Sequence, residues 1–595
     1  MKTLITTNLK ETYGREEEIL FAGDWIKSSL SFEEDFKERK YKFFETIWKD
    51  DAEINSFISY LTDLRSKLLN KLSKDLNVIH NMNYSTRSWE IMINPWLHYY
   101  LEGMYTRFET INRILKKEEN LNFIYLNNLK FFETPFDVRD FTGYIRSSDT
   151  YNQFIFQKII NFFLNIKKNK NLKLTYSDKK INIEENINFL KIHKNKKKEA
   201  QSYIRRFISF FLKKIIKNNK FYLELNSLGL NFIFLSLKLK QIPFKDYEFF
   251  TYAKYYQFFQ NKSINNAKLR NKISFNFNKE NDFENFLSRN FLNDIPKFLI
   301  EDFSKIKNYV EKIPYKSKII VSDTKHEHNT LFKFWVANRV NNNAKLITAD
   351  HGGAYGGLNC FRSVMHENIA DVAVRWFKPI NNNIQLPALQ LLNKKRARNK
   401  NRRKYLLVIS DTEVKYIKSI FLSPVYSRMI YQTEYLNSLF EKLDLNLKND
   451  FIFKAHPSDE WKIANRLEKT FEKKRIITSK KKYWRYFNKS KIILCTYFST
   501  SFCEAMISGP TVLFLKSGIH TNAKEFEKLH ENLKKSQILF DDPELASKHL
   551  NKVWNNVDDW WESNEVKRSR ESFIKEAALV ENNALEKWKL FLNNL

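Results

Sequence analysis

The clearest periodic signal lies in the second half of the chain. From residue 315 onward, short β-branched and apolar runs alternate with polar turns and helical stretches. Lys318-Ile319-Ile320-Val321-Ser322 reads as a strand and residues 329–340 as a helix. Lys345-Leu346-Ile347-Thr348 and Val372-Ala373-Val374-Arg375-Trp376 read as further strands. A second series follows, with strands at 405–410, 451–454, 491–495 and 511–515, and a helix near 425–446. Strand–helix–strand repetition predicts parallel sheets that expose ligand sites at the carboxyl ends of their strands.

The first half is less regular. Residues 3–7 and 18–22 read as short strands, the second running into Gly23-Asp24-Trp25. Residues 32–80 read as long helices, and 84–115 as an aromatic-rich helical stretch in which Asn94-Pro95-Trp96 starts or bends a helix. Residues 167–220 hold 17 Lys/Arg against 4 Asp/Glu. Within them, 203–216 spaces apolar residues helically between cations. That pattern suits either a core-facing helix with a solvated Lys face or a helix lying on an anionic membrane. Residues 394–404 carry 8 basic residues in 11 and read as a solvated linker. The expected organisation is an N-terminal α/β domain over 1–393 with a helical insertion at about 30–310. The linker 394–404 leads to a nucleotide-binding α/β domain over 405–540, and the helices of 541–595 pack back on the first domain.

Composition narrows the class. Hydrophobic residues make up 43% of 595, enough for a sizeable core, while Gly and Pro number only 11 each. That excludes collagen-like and Pro/Gly-rich chains. Cys360, Cys495 and Cys503 cannot build a disulfide framework, and no CxxC pair offers a zinc site. A reduced, cytoplasmic protein is expected. The first apolar stretch is too short for a signal peptide, and no apolar run reaches the roughly 18 residues of a membrane span. The net charge is +33. Three readings fit it: coding bias toward Lys and Asn, attraction to anionic lipid or substrate, or nucleic-acid binding. No nucleic-acid-binding motif is present, so no nucleic-acid partner is expected.

Three constellations carry chemistry. In Asp350-His351-Gly352-Gly353-Ala354-Tyr355-Gly356-Gly357, four of the chain's 11 glycines crowd a loop that follows a strand. Glycine lets backbone approach a ligand closely, and His351 at the loop's start suits a general base. In Lys454-Ala455-His456-Pro457, proline ends a strand and leaves a His donor and a Lys cation at its carboxyl end, where a leaving phosphate is stabilised. In Ser499-Thr500-Ser501, small hydroxyl residues open a helix just after a strand, an arrangement that binds anions. Glu504, one turn later, suits a ribose or sugar hydroxyl. His326 and His328 flank Glu327, but two histidines and one carboxylate in a turn do not define a metal site, and His366 reads as structural. No metal is expected.

Taken together, His-Gly-Gly after a strand, Lys-x-His-Pro, and Ser-Thr-Ser with a trailing Glu and Gly-Pro resemble two-domain GT-B glycosyltransferases. The chain looks most like a bacterial transferase family of O-antigen and surface-polysaccharide gene regions. Gly23-Asp24-Trp25, Arg87-Ser88-Trp89, Pro95-Trp96-Leu97, His351-Gly352-Gly353-Ala354-Tyr355-Gly356 and Trp560-Trp561 carry that likeness over nearly the full length. It is more distantly similar to CDP-glycerol glycerophosphotransferases, capsular Kdo transferases and bacterial sialyltransferases.

The resemblance implies two Rossmann-like domains facing a cleft, with large helical insertions in the first. It implies His351 or Asp350 as base, the choice being open. Lys454, His456, Pro457, Ser499, Thr500, Ser501 and Glu504 would hold the donor, and Gly352, Gly353, Tyr355 and Gly356 would line the cleft. It further implies a metal-independent enzyme without a resident cofactor. The donor would be a nucleotide-activated sugar, CMP- or CDP-linked, and the acceptor a lipid-linked glycan at the inner face of the cytoplasmic membrane. Two alternatives are a polyol-phosphate transferase of the CDP-glycerol type and a non-catalytic membrane- or nucleic-acid-binding protein driven by charge. A sugar-nucleotide epimerase or hydrolase on a similar fold is a third.

Overall fold

A computed structural model describes the chain apart from residues 17, 46, 49–50, 130–133, 180, 182–219, 226–229, 242–248, 354–365, 380–382, 393–402, 412–413, 421–427 and 516–523. The amphipathic stretch 203–216, linker residues 394–402, and the cleft residues Tyr355 and Gly356 lie outside the described residues.

Three all-parallel sheets organise the described chain. The third has the strand order Ile476–Ile477, Phe451–Lys454, Tyr405–Ile409, Ser490–Cys495, Thr511–Phe514, Leu539–Phe540. Numbered along the chain this is 3-2-1-4-5-6, the doubly wound order of dinucleotide-binding folds. Its four longest strands are almost wholly buried, as apolar runs of a sheet covered on both faces must be. The second sheet runs Ile384–Gln385, Val372–Arg375, Lys345–Ala349, Ile319–Ser322, Phe221–Glu224. Numbered along the chain, the second sheet runs sequentially, 5-4-3-2-1, and the doubly wound order recurs instead in the first sheet, as 3-2-1-4-5.

The first sheet corrects the reading of the N-terminal half. Its order is Lys40–Phe43, Glu18–Phe21, Lys2–Ile5, Leu121–Leu126, Leu172–Ser177. The stretch expected as purely helical insertion therefore contributes the strands at 40–43, 121–126, 172–177 and 221–224. The outer strands escape a hydrophobicity pattern because they are edges: Lys40–Phe43 buries none of its residues fully, and Leu172–Ser177 buries only Leu172. The helices Asp51–His80 and Thr86–Lys117 do form. Pro95 does not start the second of them but sits inside it. Packing against the helices Asp51–His80, Asp149–Asn165 and Thr330–Asn341 holds the helix together there.

The units are tied together at specific points. Residues 415–420 lie against the first unit: Lys415 pairs with Asp149 at 2.6 Å, Arg107 donates to the Ile417 carbonyl at 2.8 Å, and the Ile420 amide donates to Glu102 at 2.6 Å. At the C-terminus, the Leu579 amide donates to the Trp376 carbonyl at 3.0 Å, and Trp588 donates to the Pro387 carbonyl at 2.9 Å. Ala584, Trp588 and Leu592 of the last helix share a core with Phe221, Ile319, Ile347 and Val374 of the second sheet. Among the described residues, no helix is long and apolar enough to cross a membrane.

Candidate active site

The third sheet reverses its strand order between Tyr405–Ile409 and Ser490–Cys495, and ligands of such sheets bind at the carboxyl ends beside that point. The 454–457 turn leaves the strand next to Tyr405–Ile409, and Ser499 follows the strand on its other side. With strands about 4.8 Å apart, the two turns open roughly 10 Å from one another.

Ser499 is the N-cap of the helix Thr500–Ser508, yet its side chain makes no capping hydrogen bond. The first-turn amides are therefore left without that cap, and Ser499, Thr500 and Ser501 are all half-buried. The opposing loop comes from the second sheet. The Gly353 amide donates to Thr500 Oγ1 at 3.1 Å. The approach requires glycine: a Cβ on Gly353 would lie 2.4 Å from Cys503 Sγ and 3.1 Å from the Ser499 carbonyl oxygen, and one on Gly352 would lie 3.0 Å from Thr500 Oγ1. The His-Gly-Gly loop and the Ser-Thr-Ser helix start, 147 residues apart, thus form one site.

Two histidines in this region are held in opposite tautomers. His351 Nδ1 lies 3.0 Å from the Asp323 carbonyl oxygen, which can only accept. The proton of the neutral ring therefore sits on Nδ1, and Nε2 carries the lone pair of a base. His456 Nδ1 accepts from the Ser458 amide at 3.1 Å, so its proton sits on Nε2 and is offered as a donor. Partial burial and the neighbouring Lys454 lower the pKa of His456, which favours this neutral donor form. Its side chain is exposed, beside exposed Pro457.

The remaining sequence candidates fall elsewhere. Asp350 is buried: Arg375 donates to its Oδ1 at 2.7 Å and the Trp376 amide to its Oδ2 at 3.3 Å. Both side chains of the Asp350–Arg375 pair are at most 1% exposed. Arg375 also pairs with Glu367, so the neighbouring strand Val372–Arg375 ties the start of the glycine loop to residue 367. Lys454 is buried, with its ammonium on the Ala455 carbonyl, and burial lowers its pKa. Glu504 is buried on the helix beside Cys503. Neither Arg375 nor the Asp323 carbonyl stood out in the sequence. Arg375 looked like any residue of a strand end, and a backbone carbonyl leaves no compositional trace.

A buried polar cluster lies behind His351. His366 Nε2 is 2.9 Å from Glu327 Oε1, and His328 Nε2 is 3.2 Å from Glu327 Oε2. The His326 and His366 rings meet edge to face at 4.9 Å, and the His366 and His351 rings are 6.3 Å apart. In the sequence, His326, Glu327 and His328 fall in one turn that follows the strand at 318–322. The chain brings His366 to them from 38 residues away, a distance at which spacing gives no signal.

The carboxyl-end turns of a doubly wound parallel sheet thus meet the glycine loop of a neighbouring parallel sheet, the place where α/β folds bind their ligands. The chain belongs to the LIC12162 family of transferases, whose model matches residues 2–592. No curated protein matches it. Among solved structures, MurG of Acinetobacter baumannii is 9% identical with a TM-score of 0.31 over 49% of this chain and 77% of its own. The wall teichoic acid polymerase TagF is 11% identical with a TM-score of 0.28, over 49% and 84%. WaaG, a glycosyltransferase involved in lipopolysaccharide biosynthesis, is 9% identical with a TM-score of 0.29, over 49% and 95%.

Proposed function

We propose that this transferase moves a sugar from a nucleotide-activated donor, CMP- or CDP-linked, to a hydroxyl of a surface-glycan acceptor. The observation that carries the reading is the pair of opposed tautomers around the Gly353–Thr500 junction. In the proposed reaction, His351 Nε2 takes the acceptor hydroxyl proton as the new glycosidic bond forms. The bond between the anomeric carbon and the donor phosphate breaks, and its electron pair leaves with the phosphate. His456 Nε2–H and the first-turn amides of Thr500–Ser508 stabilise that charge as it develops. The leaving group is thus handled by protein donors and without a metal ion. Asp350, already held by Arg375, organises the loop, which leaves His351 as the base.

The cationic surface is assigned to holding the enzyme against anionic inner-leaflet lipid, where a lipid-linked acceptor resides. The test is product analysis with candidate nucleotide sugars. Acceptor-dependent release of a nucleotide, lost in both His351→Ala and His456→Ala, is expected. Conversion of the donor without acceptor would replace this reading with an epimerase or hydrolase. Transfer that carries phosphorus to the acceptor would replace it with a polyol-phosphate transferase.

A further inference from the structure

We propose that His326, Glu327 and His366 form a buried transition-metal site, with zinc the ion that suits its donors. Each residue offers a ligand atom, and these atoms all lie within 4.8 Å of one another. All three residues are at most 3% exposed.

The hydrogen-bond directions prepare one ligand in particular. Glu224 is buried, and Ser322 Oγ–H donates to its Oε2 at 2.7 Å. A hydroxyl has a single proton, so towards His326 Nδ1, at 2.9 Å, Ser322 Oγ must accept. His326 therefore carries its proton on Nδ1 and presents a bare lone pair at Nε2. That atom is buried, and among the described residues no hydrogen-bond donor reaches it. An imidazole whose far nitrogen is anchored through a hydroxyl to a carboxylate is the arrangement that supports metal-bound histidines.

The other two ligands complete the set. Glu327 carries an imidazole nitrogen near each oxygen, His366 Nε2 at 2.9 Å from Oε1 and His328 Nε2 at 3.2 Å from Oε2. Ligands about 2.1 Å from a tetrahedral ion sit roughly 3.4 Å apart, so drawing the three ligand atoms in from within 4.8 Å of one another seats the ion. Two imidazoles and one carboxylate, with a fourth position left for water, suit zinc. Magnesium and calcium require more oxygen. The side chain of His328 is 49% exposed and hydrogen-bonded to the other Glu327 oxygen, which gives the ion a route in from solvent. Bound there, the ion would tie the short helix Lys325–His328 to residue 366, close to the Asp323 carbonyl that orients His351.

The site is separate from the donor phosphate, and its test reads metal rather than transfer, so its failure leaves the transferase reading standing. The full chain is purified without a polyhistidine tag, and its metal content is measured. It is then stripped with a chelator, checked for folding by circular dichroism, and titrated with cobalt(II) while visible absorption is recorded. Expected are one saturable cobalt equivalent with the intense bands of tetrahedral coordination, displacement by zinc but not magnesium, and a drop in Tm on chelation that zinc reverses. His326→Gln and His366→Gln should each lose the bands. A folded, stripped wild-type chain that binds neither cobalt nor zinc saturably would overturn the proposal. So would folded variants that keep full binding, because the ion would then lie elsewhere.

Discussion

The amide of Gly353 donates to Oγ1 of Thr500 at 3.1 Å, joining the glycine loop of the second sheet to the helix that opens after the fourth strand of the third. Everything inferred about the reaction depends on that junction. It places a base-bearing loop against an uncapped helix start, and it leaves room for nothing larger than glycine.

Substituting Gly353 tests the junction itself. The Cβ of Gly353→Ala would collide with Cys503 Sγ and crowd the Ser499 carbonyl. Overpacking of this kind costs about 1–3 kcal/mol, while Thr500→Val, which removes one hydrogen bond, should cost about 1 kcal/mol. Denaturant unfolding reads both. Cys503→Ala should recover part of the Gly353→Ala loss, because it removes the nearer of the two obstructions. A Gly353→Ala protein as stable as wild type would show that the loop does not pack there.

Asp350 and His351 are neighbours with different assignments, and substitution separates them. Arg375→Met would leave the Asp350 carboxylate buried without its cation, and breaking a buried pair costs about 3–5 kcal/mol. A large drop in Tm is the expected result, and Asp350→Asn should also destabilise. His351→Ala should leave Tm nearly unchanged and lower turnover by roughly 10²–10⁴-fold, the usual worth of a general base. Full turnover in a folded His351→Ala protein would return the role of base to Asp350.

Acid should destabilise the fold through two further histidines, His530 and His549. Burial, reinforced by Lys534, pushes His530 down to about 4 from 6.5, and burial with Lys552 does the same to His549. The His549 ring packs on Phe540 and Trp560, and among the described residues neither of its nitrogens has a hydrogen-bond partner. Between these pKa values the unfolded chain binds protons that the folded chain refuses. Stability is therefore full above about pH 6.5 and falls as pH drops toward 4, by about 1.4 kcal/mol per pH unit for each histidine. Urea unfolding from pH 7.5 to 4.5 should show this slope, and it should be shallower in His549→Gln. A variant with the wild-type slope would remove His549 from the account.

The sequence was most legible where strands are buried on both faces. Runs such as Leu406-Leu407-Val408 and Ile492-Ile493-Leu494 are apolar without interruption, and the sheets form on them. The first sheet was hidden because its edge strands interleave Lys with aromatics, and its inner strand at 121–126 directly follows a long helix. Among the candidate site residues, His351, His456 and Ser499–Ser501 stand out in the sequence because each follows a strong strand. Lys454 and Asp350 were found by the same rule, but their side chains turn inward to Ala455 and Arg375. Which way a side chain turns depends on partners such as Arg375 and His366, which spacing does not place.

The most direct test of the central claim is nucleotide binding at the third-sheet turns, read by thermal shift with CMP, CDP, UDP, GDP and ADP. A ligand bound only by the folded chain raises Tm as it saturates its site. His456 is exposed, so His456→Ala should fold as wild type does. The account predicts that one nucleotide stabilises the wild-type chain and that the shift shrinks or disappears in His456→Ala. No shift with any nucleotide, or a shift of equal size in the variant, would contradict it.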